Sequence, residues 1–152
     1  MSAFPPVIFR PAERPVVRRG GNVTTIPLVT RACGSTGLIN GITVIGPGEA
    51  IPLHFHNCEE SVMVLDGEAI VEIDGERHRM GRDDTTWVPA DLPHRFINAS
   101  ETETLRIFWI YARIDATRTN ASTGETRTID DEQASAGKAC DLGDHPGKAG
   151  VP

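Results

Sequence analysis

The chain has few of the residues that could crosslink it. Three cysteines, Cys33, Cys58 and Cys140, occur among 152 residues. An odd number at unrelated spacings matches neither a disulfide framework nor a CxxC metal-binding pair, so we expect reduced thiols. The length suits one domain, which can bury a hydrophobic core without disulfide or metal crosslinks.

Long hydrophobic runs and an excess of positive charge are also missing. No apolar stretch approaches the length of a membrane span, and the start MSAFPPVIFR lacks the basic and hydrophobic segments of a secretory signal. Asp and Glu outnumber Lys and Arg by 21 to 15, which leaves no broad cationic surface for nucleic acid or anionic lipid. We therefore expect a cytoplasmic protein that binds neither nucleic acid nor membranes.

Short β-type segments alternate with turn residues between about residue 23 and residue 114. Runs rich in Val, Ile, Thr and aromatic residues are separated by Gly, Pro and Asp, which predicts an all-β fold. The predicted strands are VTTIPLVT, LINGITVI, LHFH, SVMVLDG, EAIVEIDG, ERHRM, TTWVPA, HRFINAS and TLRIFWIYARI. Asp66-Gly67 and Asp74-Gly75 are the clearest hairpin signals, because Gly readily adopts positive φ. So many short strands would stack or close into a barrel or jelly roll.

The two ends differ in composition from this central part. Residues 1–22 form a Pro-rich arm, which excludes a helix or a central strand but carries apolar residues. Residues 23–115 are predicted to form the barrel, and residues 116–152 a polar tail with little to bury. Within the tail, DDEQASAGK predicts one short helix with Asp130 as its N-cap, and we expect disorder beyond Cys140.

Two of the five histidines stand one residue apart in the segment HFHNCEESVMVLDG. On a strand, residues i and i+2 point to the same face, so His54 and His56 would project together with Cα atoms roughly 6.5 to 7 Å apart. Such a pair can reach one metal ion, although exposed histidines without a ligand are the common alternative. Glu60 at the next strand and His94 after a Pro-flanked turn would complete three imidazoles and one carboxylate. This mixed donor set suits iron, manganese, nickel, copper, cobalt or zinc.

The spacing of these residues resembles the first sequence motif of the cupin superfamily. From Gly48 through His54, His56 and Glu60 to Gly67, the pattern matches without gaps. The resemblance covers roughly residues 25–113 and identifies the chain as similar to small single-domain cupins.

The second cupin motif is matched with two departures. Pro89, His94 and Asn98 stand at motif positions, but Asp91 replaces the usual glycine, and seven rather than five residues separate Gly81 from Pro89. Aspartate tolerates unusual backbone angles in turns. The departures therefore concern the turn before His94 more than the histidine itself.

The resemblance implies a fold, a metal site and an assembly. The fold is a small all-β jelly-roll barrel, often a homodimer to which an N-terminal arm contributes. The site holds one divalent transition metal (Fe, Mn, Ni, Zn, Co or Cu) through His54, His56, Glu60 and His94.

Family membership alone does not settle the reaction, because cupins include dioxygenases, decarboxylases, isomerases, lyases and binding modules. We expect a metal-dependent enzyme acting on a small organic acid or related metabolite, with oxygenase-type chemistry favoured over decarboxylation, isomerisation or a lyase reaction. The alternative is a non-catalytic cupin that binds a metabolite, since no acid or base partner is recognisable near the donor residues. No catalytic residue is assigned.

Several neighbouring residues have alternative interpretations. Glu59 competes with Glu60 for the ligand position; strand alternation cannot decide between them, and the family spacing favours Glu60. Cys58 is interpreted as an inert turn or buried thiol rather than a redox group. Trp87 and the Leu, Ile, Trp and Tyr face of the last strand are interpreted as core. Arg106, on the opposite face, is interpreted as a surface cation unless that face looks inward.

Overall fold

The computed structural model describes residues 3–135, and twelve β-strands and one α-helix lie within this range. The strands are β1 (Val17–Gly20), β2 (Val23–Pro27), β3 (Ile39–Ile45), β4 (His54–His56), β5 (Glu60–Asp66), β6 (Ala69–Ile73), β7 (Glu76–Met80), β8 (Thr85–Val88), β9 (His94–Asn98), β10 (Leu105–Tyr111), β11 (Thr117–Asn120) and β12 (Thr126–Thr128). The helix, α1, spans Ile129–Ser135. Short 3-10 turns cover Pro11–Glu13 and Arg31–Cys33.

The strands form two antiparallel sheets of six strands each. The first sheet has the order β1-β2-β3-β10-β5-β8, and the second has the order β12-β11-β4-β9-β6-β7. Strands that follow one another in the chain, such as β3 and β4 or β5 and β6, lie in different sheets, so the chain repeatedly crosses between them. This confirms the predicted jelly roll. Within the described range, no helix has the length and hydrophobicity needed to cross a bilayer.

The hydrophobic core lies between the two sheets and follows the alternation of side chains along each strand. In β10, Leu105, Ile107, Trp109 and Tyr111 point inward and are at most 4% exposed, whereas Arg106 lies on the opposite face. Full burial of such a side chain stabilises a fold by about 1.5 to 3 kcal/mol. Shortening Ile107 to Ala would leave a cavity and cost about 2 to 5 kcal/mol.

The two predicted hairpins have different outcomes. β6 and β7 pair directly on either side of Asp74-Gly75, where both residues have positive φ, which confirms that hairpin. The prediction of a hairpin at Asp66-Gly67 is wrong, because β5 and β6 belong to different sheets. Gly67 does have positive φ, at 86°, but here the turn carries the chain from one sheet to the other. A Cβ at Gly67 would lie 2.5 Å from the Thr104 carbonyl oxygen, so only glycine permits this crossing.

The sheets extend into both ends of the chain. The division at residues 22 and 115 stays a prediction, but β1 pairs with β2, and β11 pairs with β4 and β12. These strands are short and lack apolar alternation, which is why the sequence pattern does not predict them.

Helix α1 is present but begins differently from the prediction. Its first turn is capped by Thr128, whose Oγ1 accepts a hydrogen bond of 3.0 Å from the Asp131 N–H, so Asp130 is not the cap. Ile129, Glu132 and other α1 residues are buried, so this part of the tail does contribute to the interior. The disorder expected beyond Cys140 lies outside the described residues.

Candidate metal centre

The structure brings the four predicted donor residues together between the sheets. His54 and His56 lie on β4 and His94 on β9, where His54 and His94 are direct partners across the two strands. Glu60 begins β5 in the opposite sheet. All four are at most 3% exposed. Three imidazoles from one sheet therefore meet one carboxylate from the other.

Each imidazole is oriented by a hydrogen bond from Nδ1 to a backbone carbonyl. The three bonds join His54 to Pro52 at 2.7 Å, His56 to Thr117 at 2.9 Å, and His94 to Leu92 at 2.8 Å. Because a carbonyl can only accept, each Nδ1 carries a proton. A neutral histidine protonated at Nδ1 keeps an unprotonated Nε2, which is the atom that binds a metal.

The carboxylate of Glu60 faces two of these Nε2 atoms. Glu60 Oε2 lies 2.9 Å from His56 Nε2, and Oε1 lies 3.1 Å from His94 Nε2. Within the described residues, both Nε2 atoms and Glu60 Oε1 are buried and lack a hydrogen-bond partner of suitable geometry. Lone pairs directed at a carboxylate are unfavourable unless a proton or cation lies between them. The donor atoms of the four residues lie within 4.8 Å of one another, which suits a single cation.

The protonation tendencies differ within the cluster. Burial, assisted by the nearby Arg118 charge, holds the pKa of His54 well below its ordinary value. Burial also acts to lower the pKa of His94, but the adjacent Glu60 carboxylate outweighs it and raises that pKa. Burial acts to raise the pKa of Glu60, yet the His56 and His94 imidazoles hold it well below its usual range.

The second motif holds the cluster through its backbone. Asp91 has φ 65°, the left-handed conformation that a glycine would adopt, and its N–H donates to the His56 carbonyl over 2.8 Å. The turn before His94 is thereby tied to β4. Asn98 is buried, and its Nδ2 donates to the carbonyls of Ile45, Gly46 and Glu103. Its Oδ1 accepts from the Ser100 N–H, so its role is to fix the end of β9.

Aromatic residues of β10 close one side of the cluster. The Tyr111 ring lies 4.4 Å from the His56 ring, and Trp109 stacks on Tyr111 at 4.7 Å. Trp109 Nε1 donates to Thr43 Oγ1 over 2.9 Å. Burial raises the pKa of Tyr111, so its phenol stays neutral and can donate a hydrogen bond. This face of β10 is core, as the alternation predicts, and it also lines the site.

A pocket of about 320 Å³ leads to the cluster past His54. The residues that line it include Arg19, Thr43, Glu49, Ile51, His54 and Arg118. Arg118 lies opposite His56 in the pairing of β11 with β4, so both side chains project from the same face of the sheet. Composition favours a solvent-exposed face for the N-terminal arginines, but Arg19 is largely buried. The sequence does not predict Arg118; recognising β11 as a strand would have placed it beside the imidazoles.

The remaining residues considered in the sequence lie away from the cluster. Glu59 points outward and accepts a hydrogen bond of 2.9 Å from Trp87 Nε1. Trp87 is 66% exposed, so its interpretation as core is wrong: β8 is an edge strand, and this face of it is open. Cys58 is buried, and burial raises the pKa of its thiol to about 11, which leaves little reactive thiolate. Cys33 and Cys58 are both free thiols.

Two antiparallel sheets that enclose three histidines and one glutamate define a cupin-type barrel. Residues 41–111 match the family model described as Cupin domain, and the chain is a small cupin-domain protein. The match starts within β3 and ends with β10, so it contains all four donor residues.

Known relatives of the chain include polyketide proteins and an oxygenase. It is 35% identical over 92 residues to the polyketide synthase CurC of Streptomyces cyaneus, across 60% of this chain and 59% of that protein. It is 34% identical over 94 residues to quercetin 2,3-dioxygenase of Bacillus subtilis, across 60% of this chain and 27% of that protein. The chain thus spans less than two thirds of both relatives.

A solved structure extends the fold comparison. The polyketide cyclase RemF from Streptomyces resistomycificus superimposes with a TM-score of 0.64 at 20% identity. The superposition covers 80% of this chain and 84% of the cyclase. At this identity the similarity concerns the fold.

Proposed function

We propose that this chain is a metal-dependent enzyme acting on a small organic acid or related metabolite of the polyketide or polyphenol type. The observation that carries the proposal is the approach of the buried Nε2 atoms to the Glu60 carboxylate, an arrangement that needs a cation. One divalent transition metal (Fe, Mn, Ni, Zn, Co or Cu) would be held by His54, His56, Glu60 and His94.

The chain's own residues prepare the site for ligand binding. When bound, the metal supplies Lewis acidity and, for a redox-active ion, oxygen chemistry. The backbone carbonyls fix the direction of each imidazole before a metal binds, which lowers the cost of organising the site. Tyr111 and Trp109 exclude water from one side. The neutral Tyr111 hydroxyl is a hydrogen-bond donor for an oxygen of the ligand.

Two reaction classes have support from relatives. Similarity to quercetin 2,3-dioxygenase supports oxygenation, which a ligand set of three imidazoles and one carboxylate can serve with a redox metal. Similarity to the polyketide synthase CurC supports a polyketide ligand. Ring closure is the reaction we propose for such a ligand, in which the site would stabilise an enolate oxygen. Decarboxylase, isomerase and lyase reactions use the same Lewis acidity and rank behind these two.

Metal analysis and oxygen uptake test this proposal. Protein purified without added metal should contain close to one equivalent of a transition metal, measured by elemental analysis. Oxygen consumption with quercetin as the probe would indicate the oxygenase, whereas product formation from an aromatic polyketide precursor without oxygen uptake would indicate ring closure. Failure to bind any of the six metals would contradict the proposal.

The second candidate is a non-catalytic cupin that binds a metabolite. It is favoured by the composition of the pocket: among the described residues, Glu49 is the one carboxylate that lines it, and Glu49 accepts from the Asn22 N–H on the exposed side. It is therefore not an additional buried acid or base. Tight binding of a ligand to the metal-loaded protein, without turnover under air, would favour this candidate.

We also propose a second copy of this chain as partner. Met63 on β5 and Trp87 on β8 are 37% and 66% exposed on neighbouring strands, and Ile8 in the arm is 67% exposed. Burying these groups in a homodimer would remove apolar surface from water. Light scattering should show a dimer that Met63→Glu weakens and that deletion of residues 1–15 also weakens without loss of metal. A monomeric unmodified protein at micromolar concentration would contradict the dimer.

A further inference from the structure

Two largely buried arginines line the pocket beside the donor cluster. Arg19, on β1, and Arg118, on β11, have side chains that are 20% and 14% exposed. Both contribute to the wall of the 320 Å³ pocket, together with Thr43 and His54. Guanidinium groups remain charged throughout the pH range of folded proteins. This wall of the pocket is therefore permanently cationic.

A single carboxylate on α1 pairs with both arginines. Glu132 contacts Arg19 through Oε1, and its Oε2 lies 3.1 Å from Arg118 Nε. Arg118 also donates to the Tyr111 hydroxyl over 3.4 Å. The three side chains together carry one net positive charge, and Glu60 of the donor cluster is a further anion near Arg118. Within the described residues, Arg118 Nε is buried and makes no hydrogen bond of good geometry in spite of its ion pair.

Arg118 and two histidines of the donor cluster are neighbours on one strand pair. Arg118 is the direct partner of His56 in the pairing of β11 with β4, and Asn120 is the partner of His54. A small ligand could therefore contact the cluster with one polar group and the guanidiniums with another. Glu49, the acidic residue that lines this pocket, lies against Gly21 and accepts from the Asn22 N–H, and within the described residues it makes no ion pair with either arginine.

We propose that Arg19 and Arg118 bind an anionic group of the ligand, and that Glu132 pairs with them when no ligand is present. This inference rests on the proposed function and gives its ligand class: an organic anion, with a carboxylate or a phenolate, whose remaining oxygens reach the donor cluster. The incoming anion replaces Glu132 as partner of the guanidiniums, which can bind it with paired hydrogen bonds. Occupancy of the pocket is thereby coupled to the position of α1.

Calorimetry with two matched probes tests the anion site. Salicylate carries a carboxylate, and salicylamide has nearly the same shape without the charge. Zinc-loaded, full-length protein should bind salicylate at least about tenfold more tightly than salicylamide, since charge-assisted hydrogen bonds to arginine discriminate the two. Arg118→Gln and Arg19→Gln should each remove most of this preference while leaving zinc content unchanged. Arg77→Gln, on the exposed side of β7, is the matched control and should keep the preference.

Glu132→Gln gives a result that a purely structural role would not give. Without its charge, the side chain competes less well for the arginines, so salicylate should bind about threefold to tenfold more tightly. Unchanged or weaker binding would overturn the proposal. The double variant Arg118→Gln with Glu132→Gln removes one charge of each sign, which keeps the charge balance of the folded protein. It should lose the tighter binding and most of the preference for salicylate.

His94→Ala separates this inference from the proposed function. The variant should bind little zinc but retain both arginines, and so should still prefer salicylate, at lower affinity. If the unmodified protein binds no metal yet prefers salicylate, the proposed function fails and the anion site stands. If it binds metal but binds both probes equally, or binds no salicylate up to the solubility limit, the anion site is overturned and the metal centre stands.

Discussion

Two charged clusters lie side by side between the sheets, and they are held in different ways. In the donor cluster, each imidazole is tied to a backbone carbonyl, and the carboxylate is held by two of the imidazoles. In the arginine cluster, Arg19, Arg118 and Glu132 depend on contacts between side chains. Anchoring to the backbone produces a rigid site, whereas long side chains paired with each other can exchange partners. The first arrangement suits a metal and the second suits a ligand that comes and goes.

The largest expected effect is the loss of metal when an imidazole is removed. His54→Ala, His56→Ala and His94→Ala should each weaken metal binding by about a hundredfold or more, since even partners of metal ligands contribute 10- to 100-fold. The barrel should stay folded, because its apolar core does not depend on the ion. Titration with zinc would measure the metal affinity, and circular dichroism would show whether the barrel is retained.

The exposed His78 on β7 provides the matched control for these substitutions. His78→Ala should leave metal binding unchanged, since this side chain lies away from the cluster on the hairpin of β6 and β7. Unchanged metal content in all three site variants would show that the donor cluster is not a metal centre, and the distinction between the two clusters would disappear.

The second effect concerns the rigid scaffold under the donor cluster. Gly67→Val places a Cβ 2.5 Å from the Thr104 carbonyl oxygen at positive φ, which should cost about 3 kcal/mol or more. Gly75→Val has positive φ but open space around the Cβ, so about 1 kcal/mol is expected. Melting temperatures would rank the two variants. Equal melting temperatures would argue against the close crossing of the chain at Gly67.

Three carboxylates allow a direct comparison of the clusters. Glu60→Gln should weaken metal binding by about tenfold to a hundredfold, because it removes the anionic ligand. Glu59→Gln should have no effect, since Glu59 points outward to Trp87. Glu132→Gln should also keep the metal, since its partners are arginines. Metal analysis of the three variants would rank their metal content. A larger loss of metal for Glu59→Gln than for Glu60→Gln would mean that the turn before β5 is misplaced.

The smallest effect is a difference in pH dependence. His94 has a raised pKa in the metal-free protein, so its stabilising contribution is complete below pH 6.5 and is lost as pH rises through that pKa. The same deprotonation frees Nε2 for a metal. The stabilisation by zinc should therefore grow with pH up to that raised pKa, by at most about 1.4 kcal/mol per unit for one proton, and level off above it. The difference in melting temperature between zinc-loaded and chelator-treated protein, followed over pH, measures this stabilisation. The preference for salicylate depends on arginine and should stay constant over the same pH range.

The parts of the fold that the sequence predicts are those in which local pattern and burial coincide. Every segment predicted as a strand overlaps one, because the apolar alternation that marks β10, for example, is also what the core requires. The four donor residues are found for a related reason: strand alternation and motif spacing bring them to one place. The hairpin predicted at Asp66-Gly67 is wrong because residues that favour positive φ do not indicate to which sheet the next strand belongs.

The arginine cluster could not be predicted in the same way. Its members come from β1, β11 and α1, far apart in the chain, and β11 has the polar sequence TRTN. Polar residues on a short strand carry no periodic signal. Their pairing with Glu132 depends on how the arm and the tail pack on the barrel, which is a property of the tertiary structure.

The hydrogen bond from His56 to the Thr117 carbonyl has a consequence for protein engineering. The family match ends at residue 111, so a shortened gene product cut at that boundary would keep all four donor residues. It would nevertheless lose the acceptor that sets the tautomer of one imidazole. Fusion partners and trimming at the carboxyl terminus should therefore spare β11, because the metal centre reaches beyond the segment that resembles its relatives.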